Sequence, residues 1–174
     1  MRGSHPLAAI AIALVTGVVY ADDPPVRKRA EPKVTEAEQA IWDKAKAILA
    51  KADQVELYSI DPEYLPPEKR PKDGFHGWAV LGKTALKDVD TRKKVLAIAE
   101  SIRPGTGAKC FDPRHAIRAT GDGKTVDILL CYECGWAYVF VGDDSVHFTI
   151  AKGQEDLNAI LKEAKVPLPK GPRE

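Results

Sequence analysis

The sequence predicts an α+β fold of two layers, in which an antiparallel sheet of about five strands carries helices packed on one face. Two kinds of segment lead to this prediction. Residues 35–52, 88–102 and 154–165 place apolar side chains at helical spacing. The other segments alternate apolar with polar residues, are rich in β-forming residues, and are separated by turn motifs such as TGDGK and GDDS.

The first half of the domain has the order helix, strand, strand, helix. Thr35 is a suitable N-cap for the first helix, and Glu36 and Glu38 stand in its first turn, where acidic side chains favour a helix N-terminus. The apolar stripe of this helix consists of Ala37, Ile41, Ala45, Ile48 and Leu49, with Trp42 beside it. QVELYSI and HGWAVLGKTAL are predicted strands, and the four prolines of residues 61–75 make the segment between them a loop.

The second half is predicted to be rich in strands and to close with a helix. Its candidate strand segments are KCFDPRHAIRAT, KTVDILLCYEC, WAYVFV and SVHFTIA. The final helix carries Leu157, Ile160 and Leu161 on one side, and the Pro-rich tail VPLPKGPRE ends it. The chain contains no internal repeat, so one domain is expected to include both halves.

The N-terminus has the pattern of a secretory signal peptide. Arg2 precedes an apolar run from Leu7 to Tyr20, and small residues flank a cleavage point after Ala21. This run of 14 residues is shorter than the roughly 20 that span a bilayer, so no stable membrane anchor is expected. The predicted organisation is a signal peptide (1–21), a flexible leader (22–34), one α+β domain (35–169) and a tail (170–174).

Export would place the chain in the periplasm or outside the cell, where oxidising conditions favour paired or metal-bound thiols. Loss of the signal peptide removes Arg2 and reduces the basic residues from 26 to 25, equal to the 25 acidic residues. This balance gives no electrostatic footprint for nucleic acid or for an anionic membrane surface. A protein or a small molecule is the expected kind of partner.

Three cysteines carry the candidate chemistry, and hairpin geometry places two of them together. If GDG at 121–123 is a three-residue loop, facing positions of its two strands sum to 244. Cys110 then opposes Cys134 at a Cα separation of about 4.5 to 5.5 Å, which lies within the range that a disulfide needs. A regular ladder in this register puts Cys131 on the other face, diagonal to His115.

Two features could break the ladder and bring all four side chains to one face. Pro113 cannot donate a hydrogen bond to a neighbouring strand, which favours a bulge or a loop beside it. CYECG resembles the C-x-x-C-G knuckle of zinc proteins, in which a tight turn points both sulfurs at one ion. Such a break predicts a zinc or copper site supported by Glu133. The expected ligands are Cys110, His115, Cys131 and Cys134.

Other roles for the cysteines remain open from the sequence. A Cys110–Cys134 disulfide would leave Cys131 as a single thiol, and three buried, reduced cysteines are a further alternative. A redox-active Cys131/Cys134 pair is disfavoured, because it lies on a strand rather than at a helix N-terminus and Glu133 would raise the thiol pKa. A thiol hydrolase with His115 as base ranks last, since no orienting third group and no oxyanion loop are evident.

The other histidines and the aromatic residues are expected to be structural. His76 is predicted to be a hydrogen-bonded loop residue, and His147 an outward-facing strand residue. Core and sheet-surface positions are predicted for Trp78, Trp136, Tyr138 and Phe140.

A resemblance covers most of the mature chain. CFDPRHAIRATGDGKTVDILLCYEC is similar to the signature of a family of small exported bacterial proteins, C-F-x-P-R-H followed by C-x-x-C. ELYSIDPE, FHGWAVLGKT and LKEAKVPLP fit the same pattern. The resemblance implies that these blocks form one domain, and it implies no activity.

The sequence therefore supports two main hypotheses for function, neither of which is enzymatic. The first is an exported binding module that uses a metal- or thiol-based Cys/His cluster. The second is a structural or interaction domain, similar to an inhibitor or an adaptor, that is stapled by a Cys110–Cys134 disulfide. An enzyme that uses a thiol is the third and least favoured hypothesis.

Overall fold

The computed structural model describes residues 34–105, 110–169 and 171, and within these it confirms the α+β fold. It contains three helices and a six-stranded antiparallel sheet. The elements in chain order are α1 (Glu36–Leu49), β1 (Gln54–Ile60), β2 (Val80–Ala85), α2 (Val89–Glu100), β3 (His115–Gly121), β4 (Lys124–Cys131), β5 (Trp136–Val141), β6 (Asp144–Thr149) and α3 (Gln154–Glu163).

The predicted count of about five strands is wrong by one. The sheet has the order β2-β1-β3-β4-β5-β6, and every neighbouring pair is antiparallel. Four of the six strands lie between residues 115 and 149. Tight turns separate them, and each turn contains residues with positive φ, namely Asp122, Gly123, Gly135 and Gly142. Each of the four candidate strand segments of the second half therefore contains one strand, and with β1 and β2 the sheet has six.

Several predicted segments lie outside the described residues. They are the signal peptide (1–21), the leader (22–34) except Val34, and the tail (170–174) except Gly171. Within the part of the chain that the structure describes, no helix has the length and apolar character needed to cross a membrane.

Helix α1 begins as the sequence predicts. The Thr35 hydroxyl accepts a hydrogen bond from the Glu38 amide at 3.2 Å, and the Glu38 carboxylate accepts one from the Thr35 amide at 2.8 Å. This reciprocal capping box satisfies two amides that would otherwise lack partners. The buried side of the helix differs from the predicted stripe at its start, since Ala37 is exposed and Trp42 is buried.

Apolar side chains are buried in two clusters that contain strand residues of opposite parity. The larger cluster includes residues of all three helices together with Val55, Leu57, Ile117, Ala119, Val126, Ile128, Leu130, Ala137, Val139, Val146 and Phe148. The smaller cluster consists of Tyr58, Ile60, Phe75, Ala116 and Leu129. Since successive side chains of a strand point to opposite faces, both faces of the sheet bury apolar residues. The proline-rich loop contributes Phe75 to the second face.

The hairpin between β3 and β4 has a different register from the predicted one. Gly121 opposes Lys124, so facing positions sum to 245 rather than 244. The loop has only two residues, Asp122 and Gly123, and both have positive φ, at 50° and 70°. This is the turn geometry that matches the right-handed twist of paired strands. The shift by one residue reverses which strand residues share a face.

Gly121 is the last residue of β3, and no larger residue fits at this position. A Cβ built on it would lie 2.6 Å from the carbonyl oxygen of Lys51, a backbone atom that cannot rotate away. We expect Gly121→Ala to lower the free energy of unfolding by about 2 kcal/mol through overpacking. Urea denaturation measures this change. Gly171→Ala is the matched control, since a Cβ there meets nothing within 4 Å, and equal effects of the two substitutions would contradict the prediction.

Candidate thiol site

The turn between β4 and β5 brings Cys131 and Cys134 together. Cys131 is the last residue of β4, and residues 132–135 form the turn. The amide of Cys134 donates a hydrogen bond to Cys131 Sγ at 3.2 Å. Gly135, with φ at 68°, completes the turn and leads into β5. The CYECG segment thus forms a tight turn that folds the backbone of Cys134 onto the sulfur of Cys131.

Cys110 reaches the same place from outside the sheet. The sequence predicts a strand over residues 109–120, but β3 begins only at His115. Arg114, directly before it, is the first residue of this segment with backbone hydrogen bonds to the sheet, to Leu130 at 3.1 Å and to Ile60 at 3.0 Å. The segment before it leaves the ladder, and the Cys110 thiol forms a hydrogen bond with the Cys134 thiol. The expected approach of these two cysteines is therefore present, although the register used to predict it is wrong. No disulfide joins the two sulfurs.

The three thiols differ in exposure, and two of them have a raised pKa. Cys110 is exposed, while Cys131 and Cys134 are 1% and 3% exposed. The hydrogen bond with Cys134 raises the pKa of the Cys110 thiol, and burial raises the pKa of the Cys134 thiol. Both thiols are therefore protonated at neutral pH, whereas a nucleophilic cysteine needs a lowered pKa. These shifts argue against a thiol enzyme.

The sequence predicts that Glu133 raises the pKa of the neighbouring thiols, but Glu133 is not among the groups that shift the pKa of Cys134. Its carboxylate forms an ion pair with the Arg114 guanidinium at 2.8 Å, and Arg114 is almost fully buried. Arg114 also donates to the carbonyl of Gly171 at 3.1 Å. Because the guanidinium compensates the negative charge of Glu133, the raised pKa of Cys134 comes mainly from burial.

His115 lies apart from the cysteines, which corrects its prediction as the fourth metal ligand. It opposes Leu130, so it shares the face of Leu130 and not that of the next residue, Cys131. Its Nε2 bonds to Asn158 Oδ1 on α3 at 2.9 Å. Burial lowers the pKa of the ring, which therefore stays neutral. The predicted diagonal pair of His115 and Cys131 fails for the same reason, the shift of the hairpin by one residue.

The four predicted ligands therefore do not converge. Among the residues that the structure describes, no group of three or more His, Cys, Asp or Glu side chains is placed to hold a metal ion. Three of the four candidates do lie together, since Cys134 contacts both Cys110 and Cys131.

A row of aromatic side chains adjoins the thiols on the second face of the sheet. Phe111 follows Cys110 and stacks on Tyr138, with ring centroids 3.9 Å apart and planes inclined by 12°. Trp78 meets the edge of Phe111 at 6.1 Å, and His147 packs on Tyr138 at 4.4 Å. Burial raises the pKa of Tyr138, and the charges of Cys134 and Cys131 add to this rise. The position of Cys110 is thus tied to that of the Phe111 ring.

Sequence reasoning missed a buried ionic network on the same face. Arg118 donates two hydrogen bonds to Asp127, both at 2.7 Å, and His76 bonds to the same carboxylate at 2.9 Å. His76 also stacks on Phe140, with centroids 3.8 Å apart. The prediction that His76 is a hydrogen-bonded loop residue is confirmed. A two-residue Asp-Gly loop, the commonest hairpin turn, would have placed Arg118 opposite Asp127 from sequence.

Comparisons of the chain with family models, with curated proteins and with solved structures found no match in any of the three. The proposals below therefore depend on the geometry of the site alone.

Proposed function

We propose that this chain is an exported, non-enzymatic interaction domain that is stapled by a disulfide between Cys110 and Cys134. The observation that carries the proposal is the proximity of these two side chains, each of which shifts the pKa of the other. Two neighbouring cysteines can form a disulfide when their Cα atoms lie within about 4.4 to 6.8 Å of each other. In the periplasm or outside the cell, oxidising conditions favour that bond.

The staple would fix the segment that carries Phe111. Closing the bridge transfers two electrons and two protons from the thiols to a disulfide donor, which leaves as two thiols. The crosslink joins the chain before β3 to the turn after β4 and holds Phe111 on Tyr138. The aromatic row on this face is then presented in one conformation, which lowers the entropic cost of binding a partner. A protein or a small molecule is the expected partner.

The proposal includes a two-layer arrangement, with the helices on one face of the sheet and the proline-rich loop on the other. The larger apolar cluster contains residues from all three helices, whereas the smaller one contains Phe75 of the loop and none from a helix. A partner would then meet the second face, beside the loop.

A zinc or copper site is the second candidate, and backbone hydrogen bonds to sulfur favour it. Cys131 Sγ accepts the amide of Cys134 at 3.2 Å, and the backbone of Asp112 makes a hydrogen bond that lowers the pKa of Cys134. Hydrogen bonds of this kind support thiolates that bind metal ions. The ligands would be Cys110, Cys131 and Cys134, without His115, and these three side chains would have to move together, because no three such groups are placed to hold an ion among the described residues.

One experiment separates the two candidates. The full chain is produced with its own signal segment and collected from the periplasm, and intact mass, alkylation and elemental analysis are measured on the same sample. We expect a mature chain that begins at Asp22, a loss of two hydrogens and one alkylatable thiol. Three alkylatable thiols with bound zinc or copper would support the metal site instead. Three thiols without metal would contradict both candidates.

Reduction of the bridge should destabilise the domain. Residues 110–134 form a loop of 25 residues, and closing a loop of this size stabilises a fold by about 3 kcal/mol in the chain-entropy model. We therefore expect dithiothreitol to lower the free energy of unfolding by that amount in urea denaturation. Cys134→Ser is the matched control, because it removes the sulfur that both other cysteines adjoin, and it should behave as the reduced protein with or without dithiothreitol. An equal effect of dithiothreitol on both chains would contradict the prediction.

A further inference from the structure

We propose that Cys134 is the shared sulfur of two alternative disulfides, and that exchange between them releases Cys110 as a thiol that reacts with disulfides from outside the chain. The inference rests on the proposed function, since it starts from the Cys110–Cys134 bridge. Cys134 contacts both other thiols, and its amide lies 3.2 Å from Cys131 Sγ. The third cysteine is therefore a neighbour of the bridge and not a remote, inert residue.

The exchange is an internal thiol–disulfide reaction. Cys131 Sγ attacks Cys134 Sγ as a thiolate, the Cys131–Cys134 bond forms, and the Cys110–Cys134 bond breaks. The electron pair of the broken bond leaves on Cys110 Sγ, which takes up a proton in place of the one that Cys131 lost. The chain is equally oxidised before and after, so no external oxidant or reductant takes part.

The turn after β4 can accommodate the second bridge. Only two residues separate Cys131 from Cys134, and the turn already folds the backbone of Cys134 onto Cys131 Sγ. Glu133 lies between the two cysteines, but its charge is compensated by Arg114 at 2.8 Å. An uncompensated carboxylate at this position would oppose formation of the attacking thiolate.

Exposure decides which sulfur meets an external partner. Cys110 is exposed, whereas Cys131 and Cys134 are both buried. Once released, Cys110 attacks a disulfide R–S–S–R, forms Cys110–S–S–R and expels RS⁻, which takes the proton of the thiol. The substrate class is therefore a disulfide, from a small molecule or from another protein.

The test uses the mature chain equilibrated with oxidised and reduced glutathione at fixed pH. Acid quenching and alkylation trap the thiols, and trypsin with a protease that cleaves after Glu133 separates the three cysteines for mass spectrometry. We expect two populations. In one, Cys110 is joined to Cys134 and Cys131 is alkylated; in the other, Cys131 is joined to Cys134 and Cys110 carries glutathione or the alkylating group.

Substitution of Cys131 distinguishes the exchange from the staple. Cys131→Ser should keep the Cys110–Cys134 bridge and lose the glutathione adduct at Cys110, and Cys131→Ala serves if the serine is not tolerated. Cys110→Ser should retain the Cys131–Cys134 bridge. A parent chain that shows only the Cys110–Cys134 bridge at every glutathione ratio would overturn the exchange and leave the proposed function intact. A Cys131 variant that folds but forms no bridge would overturn the proposed function.

Discussion

Asp127→Ala should lower the free energy of unfolding by about 1 to 3 kcal/mol, because it removes a buried carboxylate that bonds to the partly exposed side chains of Arg118 and His76. Asp127 accepts two hydrogen bonds from Arg118 at 2.7 Å and one from His76 at 2.9 Å. Without the carboxylate, the guanidinium loses its ion pair with Asp127 and His76 loses its bond to β4. Urea denaturation measures the loss.

The same substitution should release the proline-rich loop. His76 joins residues 61–79 to the second face through Asp127 and through its stack on Phe140. We expect amide exchange in this loop to accelerate in Asp127→Ala more than in the strands around it. Asp144→Ala is the matched control, since Asp144 pairs with Lys44 at 3.4 Å on the surface and exposed pairs contribute little. Equal stability changes for the two variants would show that the network does not stabilise the fold.

The pH dependence of the network has a definite sign. Burial alone would raise the pKa of the Asp127 carboxyl, but hydrogen bonds from Arg118 and His76 outweigh it and lower the pKa below its usual value. A carboxyl whose folded pKa is lowered stabilises the fold above its unfolded pKa of about 3.9, and this stabilisation is lost as the pH falls through the folded pKa. Acid unfolding of the parent chain should therefore include a step below about pH 4 that Asp127→Asn lacks.

Local sequence patterns predicted the helices and most strands of this fold. Thr35 and Glu38 are three residues apart, a spacing that forms a capping box whatever the rest of the chain does. Leu157 and Leu161 are four apart, and both are buried. Such patterns depend on residues within one turn of each other, so they are visible in the sequence alone.

Register was not predictable in the same way, because it depends on a choice between two turns. GDG can form a three-residue loop, or its last two residues can form a two-residue loop that leaves Gly121 in the strand. The Asp-Gly pair favours the two-residue loop locally, and the close approach of Gly121 to Lys51, 70 positions earlier in the chain, is a long-range constraint that no local pattern contains. Because the observed register differs from the predicted one by one residue, His115 lies on the opposite face of the sheet from Cys131. Its imidazole is therefore not beside the thiols as a metal ligand.

The sequence predicts that Cys110 approaches Cys134 as part of the β3–β4 ladder, but Cys110 lies outside that ladder. A ladder in the expected register would have brought the two residues face to face. In the structure, Cys110 lies before the start of β3 and reaches Cys134 from a loop. Pro113 was the correct indicator of this departure, since it cannot donate to a neighbouring strand.

His115→Ala should destabilise the domain by about 4 kcal/mol without changing the state of the thiols. The ring is fully buried, so its removal leaves a cavity, and Asn158 loses its partner at 2.9 Å. His147→Ala is the matched control, because His147 is an exposed residue on β6. The number of alkylatable thiols should be the same in all three chains. Loss of bound zinc or copper in His115→Ala, with stability retained, would restore His115 as a metal ligand.

His115→Leu separates the pH dependence from the packing. Burial lowers the pKa of this imidazole more than the Asn158 hydrogen bond raises it, so the folded chain binds a proton less readily than the unfolded chain. Stability must therefore fall as the pH decreases below the unfolded value of about 6.5. Leucine fills most of the volume and cannot take up a proton, so the variant should lose this decline below about pH 6.5 while keeping the step due to Asp127. A decline of the same size in both chains would mean that another group titrates in this range.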